Sequence, residues 1–154
     1  MNQLLAIPPD HLGKIWHEIR HEIAEIEAPD DFIPEDVYWA CKTNQATLFF
    51  LMVDDKRVGW MVARQQLPAI HIWQLHAENG YDVLRAFRAE LMTLVRNANC
   101  SKITYGSTRK AWQKVAPDHG FKMQMVIWEC PLDPLPQPPA PKPPTGEDGT
   151  GAGN

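Results

Sequence analysis

The stretch "HIWQLHAENGYDVLRAFRAELMTLV", His71 to Val95, decides how this chain is read. Its first third is rich in β-branched and aromatic residues. Further on, Val83, Leu84, Phe87, Leu91, Leu94 and Val95 fall at helical spacing. An apolar strand therefore leads directly into an amphipathic helix, expected from about Tyr81 to Asn97. The N–H groups at such a helix start lack intrahelical partners and offer a place for an anion. Turns that hold a diphosphate usually carry several glycines, so that the ligand can approach the backbone. This turn has one, Gly80, and two residues later comes Asp82. A carboxylate there caps the helix and complements its dipole, but it repels a diphosphate by roughly one to a few kcal/mol at short range. The junction reads as self-capped.

The flanking sequence supplies the rest of a domain. "ATLFFLMV" and "RVGWMVARQ", joined by "DDK", have the composition of an antiparallel hairpin, and "AIHIWQLHA" is the strand that follows it. Upstream, Asp10 is placed to cap a first helix whose apolar stripe is Leu12, Ile15, Trp16, Ile19, Ile23 and Ile26. "APDD" and "IPED" break the chain before a short helix, "PEDVYWACK". Downstream come a strand in "KITYG", a short helix in "RKAWQKVA" behind the capping candidates Ser107 and Thr108, and a closing strand in "KMQMVIWECPL". The order ααβββαβαβ predicts an α/β domain, a mixed sheet with helices on both faces.

Bulk properties exclude several classes. The chain has 154 residues, enough for one domain that buries roughly 70% of its unfolded surface. With a formal charge of −4 and no Lys/Arg cluster, nucleic acid is not expected as a partner. Cys41, Cys100 and Cys130 are scattered and lack CxxC spacing, which suits a reducing compartment. "MNQLLAIPPD" has no basic leader, and no apolar run reaches 18 residues, so neither export nor a membrane is expected. Residues 1–132 read as the globular domain. Residues 133–154 read as an extended arm, because "PLDPLPQPPAPKPP" holds eight of the fourteen prolines and the end is glycine-rich. Such an arm is expected to become ordered on a partner, with Pro134, Leu135, Pro136, Pro138, Pro139, Pro141, Pro143 and Pro144 as contact residues.

Inside the first helix, "HEIRH", His17 to His21, matches the zinc-hydrolase pattern H-E-x-x-H. On the helical wheel both histidines lie opposite the Leu12–Ile26 stripe, and no downstream "GxxH" supplies a third ligand. A solvated face explains the motif better, and no metal site is expected.

The element order, together with "NANCSKI" and "RKAWQKVAPDHGFK", resembles the Gcn5-related N-acetyltransferases, the GNAT family, over roughly Leu4 to Leu132. The family's segment A-x-x-L-Y-x-x-x-G-F ends here on Gly120 and Phe121. The resemblance implies a mostly antiparallel sheet flanked by helices, whose third and fourth family strands splay apart to admit the pantetheine arm of acetyl-CoA. It places the pyrophosphate motif R/Q-x-x-G-x-G/A on Asn79, Asp82 and Leu84, none of which matches. It places the tyrosine that protonates the departing thiolate on Ala116, followed by Pro117. An active member would thus bind coenzyme along Leu75, Ala77, Asn79, Gly80, Asp82 and Leu84. It would take a base from His76 or Glu78 at the strand end, and an acid from Tyr105 or Tyr81.

"HLGKIWHEIRHEI" and the pattern Arg109, Trp112, Pro117, Gly120, Phe121 look like the small GNAT-like proteins of tailed bacteriophages. That resemblance implies a non-catalytic structural or assembly protein in a multi-copy phage particle. It would be made in the host cytoplasm, bind no cofactor, and lay its arm on capsid, portal or tail proteins. The alternative expectation is a cytoplasmic acetyl-CoA-dependent N-acetyltransferase with an atypical pyrophosphate turn. Six tryptophans, several on strands or near breaks, add possible anchors for a protein interface.

Overall fold

A computed structural model of the chain describes residues 1–26, 32–128 and 130. Its sheet follows chain order: β1 (Asn2–Ala6), β2 (Thr47–Val53), β3 (Lys56–Gln66), β4 (Ala69–Ala77) and β5 (Lys102–Tyr105). β1 to β4 pair antiparallel and β5 joins β4 in parallel, giving the mixed, mostly antiparallel sheet expected. The helices are α1 (Pro9–Ala24), α2 (Pro34–Lys42), α3 (Val83–Ala86), α4 (Arg88–Asn97) and α5 (Lys110–Val115), the last continued by a 3-10 turn, Ala116–His119.

Each face of the sheet buries its own core. Leu12, Ile19 and Ile23 of α1, with Val37 and Cys41 of α2, pack on Leu48, Trp60 and Val62. On the opposite face Val83, Phe87, Leu91 and Val95 pack on Phe49, Leu51, Met61, Ile70 and Ile72. Burial of this apolar surface, at roughly 25 cal/mol per Å², is what fixes the helices to the sheet. The β2–β3 turn uses Asp54 and Asp55 at φ 46° and 63°, the two left-handed positions that match strand twist.

Where β3 meets β4 the register shifts between Val62 and Ala63, so Trp73 is an extra residue between Gln74 and Ile72. Such a bulge re-aims the side chains beyond it. Ile70 and Ile72 face the α4 core before the bulge, and Leu75 and Ala77 do so after it. Gln74 is paired with Val62, which belongs to the α1 core, and His76 with Trp60 of the same core.

Four local expectations need correction. Asp10 does not cap α1: Pro9 opens the helix and Asp10 lies in its first turn, because proline's fixed φ and missing N–H suit that opening position. Ser107 and Thr108 are not caps either; Arg109 precedes α5, and Ser107 accepts the Arg109 N–H at 3.2 Å. β1 has no counterpart in the expected order, since five residues become a strand only by pairing with β2. The closing strand in "KMQMVIWECPL" is not formed among the described residues: 121–128 adopt no strand, and Met123, Met125, Val126, Ile127 and Trp128 are exposed. Strand composition without a paired neighbour does not make a strand. The chain divides into two units, Met1–Lys122 and Met123–Asn154, and the proline contacts expected from Pro134 to Pro144 lie outside the described residues.

Candidate active site

β4 has a strand on both sides over only part of its length. β3 accompanies it from Ala69 to Ala77, whereas β5 pairs with it only from Ala69 to Ile72, ending opposite Tyr105. Among the described residues the ladder is one-sided from Gln74 to Ala77, and a strand in that state presents main-chain N–H and C=O groups to whatever lies alongside. Gly59 makes the β3 side of this region possible: a Cβ there would overlap the His76 carbonyl oxygen. The glycine lets the two backbones approach at the far end of this stretch, where Gly59 pairs with Ala77.

His76, a base candidate from the sequence, stands at this opening. Its ring stacks on the indole of Trp60, with centroids 5.7 Å apart and planes 14° from parallel. Its Nε2 faces Glu22 Oε2 of α1 at 3.6 Å. The same carboxylate oxygen accepts the Trp60 Nε1 hydrogen. Trp60 is fully buried, while the side chains of Glu22 and His76 are 23% and 40% exposed, so the group is anchored below and open above. Sequence reasoning missed Glu22, although it directly follows "HEIRH". Within that motif His17 and His21 are exposed, and Glu18 is engaged by Arg57 at 2.8 Å. Among the described residues no group of three His, Cys, Asp or Glu could hold a metal ion.

The other candidates do not join this cluster. Glu78 is exposed and faces Lys56 at 3.7 Å. Tyr105 packs with the α4-side core and meets Trp112 edge-on at 5.0 Å, across the sheet from Trp60. Burial pushes its phenol above the ordinary tyrosine range, outweighing the nearby Arg109 charge and a hydrogen bond with Ser107, so the hydroxyl keeps its proton. Leu75, Ala77 and Leu84 are partly buried against the α4 core, and Asn79 and Gly80 (φ 81°) are exposed in the turn.

Asp82 does what its position predicts. Its Oδ1 accepts the Arg85 N–H at 3.2 Å, and its Oδ2 lies 3.7 Å from Arg85 Nε. A partner the sequence did not reveal is His119, whose Nε2 lies 3.6 Å from the same Oδ1 while its ring stacks on Trp112. The helix is also interrupted at Phe87, leaving α3 only four residues long.

No protein-family model matches the sequence, and no curated protein matches it at a significant level. Solved structures match its backbone. The aminoglycoside N-acetyltransferase AAC(6')-Iy, in complex with a CoA-linked bisubstrate analog, superposes with a TM-score of 0.57 at 17% identity, over 84% of this chain and 97% of that one. The fold is that of the GNAT acetyltransferases. A Clostridium acetobutylicum protein described as a predicted acetyltransferase, solved with acetyl-CoA, gives 0.58 at 12% identity, over 87% of this GNAT-fold chain and 98% of its own. A ribosomal-protein-alanine N-acetyltransferase from Brucella melitensis gives 0.56 at 12%, over 83% and 95%.

These likenesses correct the reading of the GNAT-fold chain as a non-catalytic phage particle component, because the matched structures are acetyltransferases and not particle proteins. That expectation rested on two departures from the family pattern, the turn at Asn79, Asp82 and Leu84 and the absence of a tyrosine at Ala116. The turn is capped, while β5 pairs with β4 only as far as Ile72, and His76 stands beyond that point.

Proposed function

We propose that the chain is an acetyl-CoA-dependent N-acetyltransferase with an atypical pyrophosphate turn. The observation that carries this reading is the one-sided ladder at Gln74–Ala77 with His76 at its end. An extended arm containing amides matches a row of free main-chain donors and acceptors, so this edge fits a pantetheine chain. The turn from Asn79 to Leu84 fits the diphosphate less well, and Asp82 must release the Arg85 N–H to make room.

Acetyl-CoA supplies an acetyl thioester when bound. The protein's part is to orient an amine and manage its proton. An ammonium acceptor is unreactive until deprotonated, and His76 is placed to take that proton. Trp60 fixes the plane of the ring by stacking, and Glu22 closes off its Nε2 side. Tyr105, on the other face of the sheet, has no part in this proton transfer. The likeness to aminoglycoside and protein-alanine N-acetyltransferases supports a primary amine as acceptor.

Calorimetric titration of acetyl-CoA into the full chain tests the reading, followed by thiol release in the presence of an amine panel. Saturable binding at micromolar concentration with amine-dependent thiol release is expected. Absence of saturation up to about 1 mM, some 4 kcal/mol of binding energy, would overturn it.

A further inference from the structure

Glu22 occupies the last turn of α1, where a carboxylate opposes the helix dipole. Among the described residues its ion-pair neighbours are two histidines, His76 at 3.6 Å and His21 at 4.0 Å. Its Oε2 is fixed by the indole N–H of Trp60, and that same Oε2 faces His76. Three side chains from α1, β3 and β4 thus meet at one oxygen, beside the stretch of β4 that β5 does not accompany.

We propose that Glu22 is a positioning residue that holds His76 in one tautomer, with the proton on Nε2 and the lone pair on Nδ1. This rests on the acetyltransferase reading for its purpose, though not for its geometry. A carboxylate accepts and does not donate, so the ring nitrogen turned toward it is the one that carries hydrogen. The partner nitrogen is then free to take a proton. In the reaction Nδ1 removes one proton from the acceptor ammonium, and the freed nitrogen lone pair forms the bond to the acetyl carbonyl carbon. The carbon–sulfur bond breaks with its electrons going to the thiolate, and the second amine proton leaves to solvent as the amide forms. Trp60, through its indole N–H, holds the carboxylate oxygen on the Nε2 side of the ring.

Ring nitrogen NMR of the full-length protein, with the imidazoles neutral, reads the tautomer directly. His76 is expected to carry its proton on Nε2 in the unaltered chain and to populate both tautomers in Glu22→Gln, with an unchanged unfolding midpoint. In the transfer assay Glu22→Gln is expected to lower kcat about tenfold with the acetyl-CoA KM unchanged, and Glu22→Asp to recover part of it. His76→Gln should cost about 100-fold, and the double variant no more than His76→Gln alone. An Nδ1–H tautomer in the unaltered chain, or fully additive losses in the double variant, would overturn the proposal. If the unaltered chain transfers no acetyl group, the acetyltransferase reading falls, and the ring spectrum alone decides the role of Glu22.

Discussion

Two ends of one segment behave differently. At the end of β4, His76 is held by groups from α1 and β3, far away in sequence, and it faces an opening. A few residues later, Asp82 is held chiefly by its own turn, through the Arg85 N–H, with His119 added from behind α5. The first arrangement leaves a functional group available, and the second consumes one. A capped turn beside an open strand edge therefore says little about the edge. The two are built from different interactions and can be lost or kept separately.

The largest expected effect breaks the first arrangement. Gly59→Ala places a methyl group on the His76 carbonyl oxygen, so β3 and β4 must part where the site is formed. A loss of about 2–3 kcal/mol in chemical denaturation is expected, with His76 displaced. The second prediction tests the turn. Asp82→Asn keeps an oxygen that can accept the Arg85 N–H but removes the charge that repels a diphosphate. Acetyl-CoA should bind about tenfold more tightly, measured by calorimetry, while the unfolding midpoint moves little. Unchanged affinity would mean that Asp82 does not oppose the coenzyme.

A smaller effect sharpens the contrast between the two faces of the sheet. Tyr105→Phe should leave kcat far above the roughly 100-fold loss that removal of a general acid brings, because the phenol lies across the sheet from Trp60 and His76. The smallest concerns a core thiol. Burial pushes Cys41 up to about 11, so it should be the last of the three cysteines to react with an alkylating reagent at neutral pH, after exposed Cys130, as peptide mass mapping would show. Because the folded value lies above the unfolded one, the folded state holds this proton more tightly. The contribution to stability is complete below the ordinary thiol range and fades as pH rises toward 11.

Much of the frame was legible. β4 was expected at Ala69–Ala77 and is found there, because its alternation and β-branched content are local properties. The two positive-φ aspartates sit where "DDK" placed the hairpin turn, and Leu12, Ile19 and Ile23 are fully buried as the stripe required. Asp82 caps as its type and position demanded. β1 and the closing segment were misjudged for one shared reason: short extended segments are made or unmade by pairing, which is not a property of the segment. Glu22 was hidden because it follows a motif whose polar face draws the eye outward, while the side chain itself turns inward to Trp60.

By itself, then, the sequence determined the periodicities, the hairpin turn, the helix stripe and the self-capping of Asp82, since each depends on residues within a few positions of one another. Tertiary structure alone decided that β5 leaves β4 after Ile72, that Gly59 lies under His76, and that Glu22 and Trp60 meet there. Those contacts join residues 17 to 54 positions apart, and only the packing of α1 and the hairpin against β4 brings them together.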